Sequence, residues 1–97
     1  MDSLGRARRV LSIEIQELQH VSARLGEEFP RAVALLREAL DRRAKIVVLG
    51  VGKSGHIGAK IAATLTSTGA PAVVLNPLDA LHGDLGVVSD GDVILTL

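Results

Sequence analysis

The sequence predicts an α/β protein in which a helical hairpin over residues 1–44 precedes the first half of a parallel sheet over residues 45–97. Apolar residues recur at helical spacing through the first part. Three short apolar runs of strand length follow, Lys45–Leu49, Ala72–Leu75 and Val93–Leu97. Helical or crossover segments separate these runs, which implies parallel pairing through right-handed connections.

Leu4, Ala7, Leu11, Ile15, Leu18, Val21 and Leu25 lie on one helical face, with Ser3 available as the N-cap, so residues 3–25 read as one amphipathic helix. Gly26 ends it. Pro30 suits the first turn of a second helix, whose stripe Val33, Leu36, Leu40 reaches a basic stop at Arg42 and Arg43. Both helices are expected to cover core and to make subunit contacts. After the first strand, Ile57, Ile61, Ala62 and Leu65 give a crossover helix its sheet-facing side, and Gly69 marks its end. Asn76-Pro77 breaks the second strand, Leu78 to Leu81 form a single turn, and Gly83 to Gly86 are loop. Ser89-Asp-Gly-Asp92 is the turn that enters the third strand.

Composition excludes several classes. The chain has 97 residues, 11 basic and 11 acidic side chains, no cysteine and a single aromatic, Phe29. Zero net charge and no aromatic interleaving among the basic residues argue against a nucleic-acid platform. Glu14, Gln16 and Glu17 interrupt any signal-like run near the N-terminus, and no apolar stretch approaches the roughly 18 to 20 residues that span a bilayer. A cytoplasmic protein without membrane contact is expected, in keeping with the absence of cysteine. A chain this small buries about two-thirds or less of its unfolded surface, so it is expected to be marginal on its own.

The chemistry concentrates at Gly50-Val-Gly-Lys-Ser-Gly-His-Ile-Gly58, where a strand breaks into a glycine loop and then a helix. Glycines let the backbone turn tightly beside a ligand, and the first amides of the following helix lack partners and attract anions. The ATP-binding P-loop needs a glycine five residues before Gly52, where Val47 stands inside the strand, so that reading fails. Gly50, Gly52 and Gly55 match the dinucleotide pattern Gly-x-Gly-x-x-Gly, but the second strand ends at Asn76 rather than at an acid. A nucleotide-binding module is therefore the weakest reading. Lys53, a cation among glycines at a strand's carboxyl end, is placed to meet an anion or a developing enolate. Ser54 can donate its hydroxyl or help start the helix. His82 lies in a glycine-flanked loop and suits proton transfer or hydrogen bonding to hydroxyls. His56 either orients phosphate or packs, and His20 reads as a surface or interface residue.

Three blocks, Gly50 to Lys60, Ser67-Thr-Gly-Ala-Pro71 and Asn76-Pro-Leu-Asp-Ala-Leu-His-Gly-Asp-Leu-Gly86, stand in an order and spacing that resembles the sugar isomerase (SIS) domain of bacterial arabinose-5-phosphate isomerases. The resemblance is clear from Lys45 to Leu97. It implies a flavodoxin-like sheet and an enzyme, a sugar-phosphate isomerase interconverting ribulose 5-phosphate and arabinose 5-phosphate through an enediol, feeding the lipopolysaccharide sugar Kdo. It implies a homo-oligomer with a pentose 5-phosphate as its ligand and no cofactor. On this resemblance Lys53 and His82 are the catalytic residues, and Gly52, Ser54, Gly69, Ala70 and His82 bind substrate. The chain reads as the N-terminal portion of such a domain, inactive alone, without the serine-rich cradle and catalytic glutamates that follow in the family. Where these isomerases commonly place a histidine able to bind a divalent metal, this sequence has Asn76, so no metal is expected. Ala70 likewise replaces a hydroxyl-bearing residue. The alternative within the same domain is a non-catalytic sugar-phosphate-binding regulator.

Overall fold

The computed structural model describes residues 2–97. Helix α1 spans Ser3–Arg24 and helix α2 spans Glu28–Asp41. Asp2, not the expected Ser3, caps α1, because its carboxylate accepts from the Gly5 amide while Ser3 already has helical geometry. Leu25, extended at φ −62° and ψ 130°, stops the helix. At the end of α2 the Ala44 amide donates to the Ala39 carbonyl and the Arg43 amide to Leu40, each at 2.9 Å. This is the paired C-terminal bond pattern that turns the chain out through one left-handed residue. That residue is Arg43, at φ 60°, a conformation that favours glycine.

Two compact units divide inside α2. One ends at Arg31 and the other runs Ala32–Leu97. Leu36 and Leu40, in the last part of α2, pack against the strand core and so join the sheet's unit.

The sheet contains β1 (Ile46–Leu49), β2 (Ala72–Leu75) and β3 (Val93–Thr96) in the order β2-β1-β3, all parallel. Val48 lies between Val74 and Leu95, and Leu49 between Leu75 and Thr96. The central place of β1 explains its burial. Ile46, Val47 and Val48 are at most 1% exposed, each a side chain whose full burial contributes about 1.5–3 kcal/mol. Helix α3 (Lys53–Ser67) crosses from β1 to β2 and packs Ala62 and Leu65 onto Ile46 and Val48. The expected single turn after Asn76 is helix α4 (Pro77–Leu81). The last three residues of the segment read as loop join Val87 in one turn of 3-10 helix, Asp84–Val87.

At the amino edge of the sheet, Asp92 joins the first and third strands. Its carboxylate accepts from Lys45 Nζ at 2.6 Å, the Lys45 amide at 3.0 Å and the Ser89 amide at 2.7 Å. These bonds, the Lys45 side-chain bond foremost, hold the Asp92 carboxyl at about 2, below its ordinary 3.8. The sequence spacing of Lys45 and Asp92, 47 residues, hides this tie.

Candidate functional site

The loop from Gly50 to Gly52 leaves β1 at its carboxyl end and enters α3, and two close approaches fix its shape. A Cβ added at Gly50 would lie 2.8 Å from the Ser54 carbonyl carbon, and one at Gly55 would lie 2.9 Å from the Gly50 oxygen. The backbones of strand exit and helix entry therefore touch directly. Gly52 precedes the helix at φ 61° and ψ −126°, a region closed to side chains, and no side chain caps the helix there. The Gly52 carbonyl accepts the first bond, from the His56 amide, leaving the amides of Lys53, Ser54 and Gly55 as the unpartnered donors of a 15-residue helix. Partial positive charge is concentrated here, with the Lys53 ammonium beside it.

One turn further on, a Cβ at Gly58 would fall 2.9 Å from Val48 Cγ1 and 3.3 Å from Leu97 Cδ1. That small residue seats α3 against the sheet. The loop geometry is thus supported by two contacts that a sequence pattern of glycines does not by itself distinguish.

Facing the loop is the exit of β2. Asn76 Oδ1 accepts from the Leu78 amide at 2.8 Å, and its carbonyl accepts from Ala80 at 2.9 Å, so Asn76 is the N-cap of α4 with Pro77 at the first helical position. A cavity of about 230 Å³ lies between the loops, lined by Gly50, Val51, Gly52, Asn76, Pro77 and Leu78. Both loops follow the carboxyl ends of parallel strands, where open α/β sheets bind ligands. The role of Asn76 as a cap was missed in the sequence, although Asn followed by Pro is a helix-start signal.

The site residues expected from the sequence separate into two groups. Gly52, Lys53 and Ser54 lie at the α3 entry, and His82 is the C-cap of α4, its amide bonded to Asp79 at 3.0 Å. All belong to the carboxyl edge. Lys53 and His82 are exposed, and neither lines the cavity. Gly69 and Ala70 do not join them. They end α3 and lead into the amino end of β2, where Pro71 accepts from the Ile46 amide at 2.9 Å, and Ala70 packs on the core. The reason is topological. A helix that returns to start a parallel strand must bring its last turn to the opposite edge of the sheet. His56 and His20 are both exposed, and His20 Nδ1 lies 3.5 Å from a Glu17 carboxylate oxygen.

Asn76 is a poor metal ligand as it stands. Asn76 offers an amide oxygen already bonded to a backbone N–H, in place of imidazole. Among the described residues no group of three or more His, Asp or Glu side chains could hold a metal ion.

Fold and site together define an α/β domain with an open helix N-terminus at its strand exits. The SIS domain family matches residues 39–97, more than half of the chain, and the chain belongs to that family. It is 51% identical over 92 residues to arabinose 5-phosphate isomerase GutQ of Escherichia coli O6:H1, covering 95% of this chain and 28% of that protein. It is 42% identical to arabinose 5-phosphate isomerase KdsD of Pseudomonas aeruginosa, covering all of this chain and 29% of that protein. The solved structure of E. coli CFT073 c3406 in complex with arabinose 5-phosphate superposes with a TM-score of 0.75 at 33% identity, covering 99% of this chain and 51% of that one. The chain thus spans less than a third of the curated relatives and about half of the solved one. No helix among the described residues is long and apolar enough to cross a membrane.

Proposed function

We propose that this chain supplies the phosphate-binding loop and two reactive side chains of an arabinose-5-phosphate isomerase, acting on a pentose 5-phosphate in the cytoplasm. The observation that carries the reading is the uncapped α3 entry at Gly52, with Lys53 on it, in a chain similar over its whole length to isomerases of that name. The free amides of the first turn bind the dianionic phosphate, and Ser54 adds a hydroxyl donor. Isomerisation moves a proton between the adjacent carbons C1 and C2 of the open-chain sugar. As a carboxylate base from the rest of the domain takes the proton from carbon, the carbonyl oxygen gains negative charge, and the Lys53 ammonium stabilises that charge; the base returns the proton to the neighbouring carbon. The oxygen then takes a proton to give the enediol, with His82 as the group that carries protons to and from the sugar oxygens. The enediol route needs no metal, and none is assigned. Gly69 and Ala70, at the far edge of this chain's sheet, have no part in the proposal. The exposed apolar side chains of α1, among them Leu11, Ile15 and Leu18, support a homo-oligomer.

These 97 residues alone are expected to bind pentose phosphate without turning it over. A longer protein containing the segment and the rest of the domain is expected to isomerise. Incubating each with ribulose 5-phosphate and assaying aldose formation tests both statements. Robust turnover by the 97 residues overturns the first; binding without turnover in the longer protein makes the domain a regulator and overturns the second.

A further inference from the structure

A second cavity, of about 420 Å³, opens at the amino edge of the sheet, the edge opposite the glycine loop. Its charged lining consists of Arg42, Arg43, Lys45, Asp90 and Asp92, with Ser89 beside them. Lys45 and Asp92 neutralise each other at 2.6 Å, and the Asp92 carboxylate is further occupied by two backbone amides. What remains is a pair of guanidinium groups and one carboxylate. Neither arginine nor Asp90 has an ion pair or side-chain hydrogen bond among the described residues.

The backbone holds this arrangement in place. Gly91 stands at φ 88°, and a Cβ built there would lie 3.9 Å from Arg42 Nε, so the Arg42 side chain lies beside the Ser89–Asp92 turn. Arg43 stands where glycine is favoured, and a non-glycine residue at φ 60° costs conformational free energy. A cation near the carboxyl end of α2 does favour the helix dipole, but Arg42 already supplies one. The arginine at the left-handed position is therefore left without a structural reason and faces a cavity of small-ligand size.

We propose that this cavity binds a small phosphate ester carrying free hydroxyls, Arg42 and Arg43 taking the phosphate and Asp90 with Ser89 taking a hydroxyl. Paired guanidiniums match phosphate oxygens in geometry as well as charge. Asp90 selects against bare anions, which it repels, and accepts a hydrogen bond from a ligand hydroxyl. The site is separate from the glycine loop and does not depend on the isomerase reading.

The test is a titration of this chain with glycerol 3-phosphate and, separately, inorganic phosphate, read by amide chemical shifts and by thermal melting. Glycerol 3-phosphate is expected to shift the amides of Arg43, Ser89 and Gly91, and inorganic phosphate to bind there more weakly. Arg43→Gly is expected to lose about tenfold or more in affinity at that edge while melting no lower than wild type, because glycine suits the backbone. Asp90→Asn should weaken glycerol 3-phosphate and strengthen inorganic phosphate. Shifts confined to residues 50–54, an Arg43→Gly chain that binds as wild type, or one that melts lower would each overturn the proposal.

Discussion

Replacing Gly55 by alanine sets two effects of opposite sign against each other. Gly55 is the third residue of α3, where alanine improves intrinsic helix propensity by at most about 1 kcal/mol. The new methyl would lie 2.9 Å from the Gly50 carbonyl oxygen, inside contact distance, and the atom it meets is backbone rather than a side chain that can rotate away. Overpacking of this kind costs about 1–3 kcal/mol. The clash therefore wins, and Gly55→Ala is expected to be destabilised by about 1 kcal/mol net, lowering the melting temperature by about 4–8 °C in a domain of this size. Gly86→Ala is the control: a Cβ there meets nothing within 4 Å, and the residue is not at positive φ. It should be neutral or slightly stabilising. Both variants are measured by urea denaturation followed by circular dichroism. A Gly55→Ala chain as stable as wild type would show that the strand–helix contact yields easily and does not set the loop.

Other outcomes follow from the same geometry. In a catalytically competent longer protein, Lys53→Ala should lower kcat by about a hundredfold or more with little change in KM, because the charge it meets grows toward the transition state; unchanged turnover would make Lys53 a solvated surface residue. Acid should weaken the fold through Asp92. With the folded carboxyl at about 2 and the ordinary value at 3.8, its contribution is whole above pH 4 and disappears as pH falls toward 2, and Asp92→Asn should flatten that part of a stability–pH curve. An equal slope in the variant would assign the acid loss to other groups. Finally, β3 is paired on one side only in this chain and Ile94 on it is 50% exposed, so the chain should associate with rising concentration. Size exclusion with light scattering would refute this by showing one mass at every concentration.

Much of the fold was legible because local pattern and tertiary placement agree. Ala72 to Leu75 is a strand over the residues read from the sequence, bounded by Pro71 and by Asn76-Pro77, which leave little freedom at either end. The crossover helix likewise starts within its glycine loop and ends before Gly69. The Asp2 cap and the 3-10 turn at Asp84–Val87 escaped, since each depends on one local hydrogen bond or turn that composition does not specify. Within the candidate site, the entry at Gly52–Ser54 was legible from glycine spacing, and His82 follows on the same edge. Gly69 and Ala70 lie at the other edge, a placement the strand pattern already contained, since the turn before a parallel strand lies at its amino end.

By itself the sequence determined the alternation of helices and strands, the parallel sheet and the glycine loop between the first strand and its crossover helix. These rest on periodicity and on the backbone freedom of particular residues, both local properties. Only the tertiary structure decided that Gly50 and Gly55 are in backbone contact, that Asn76 caps α4, and that Asp92 binds Lys45 across the sheet edge. It also decided that Arg42 and Arg43 meet Ser89 and Asp90 around one cavity. Such pairings depend on where the parallel connections bring distant segments together, to within the few ångströms over which hydrogen bonds and charges act.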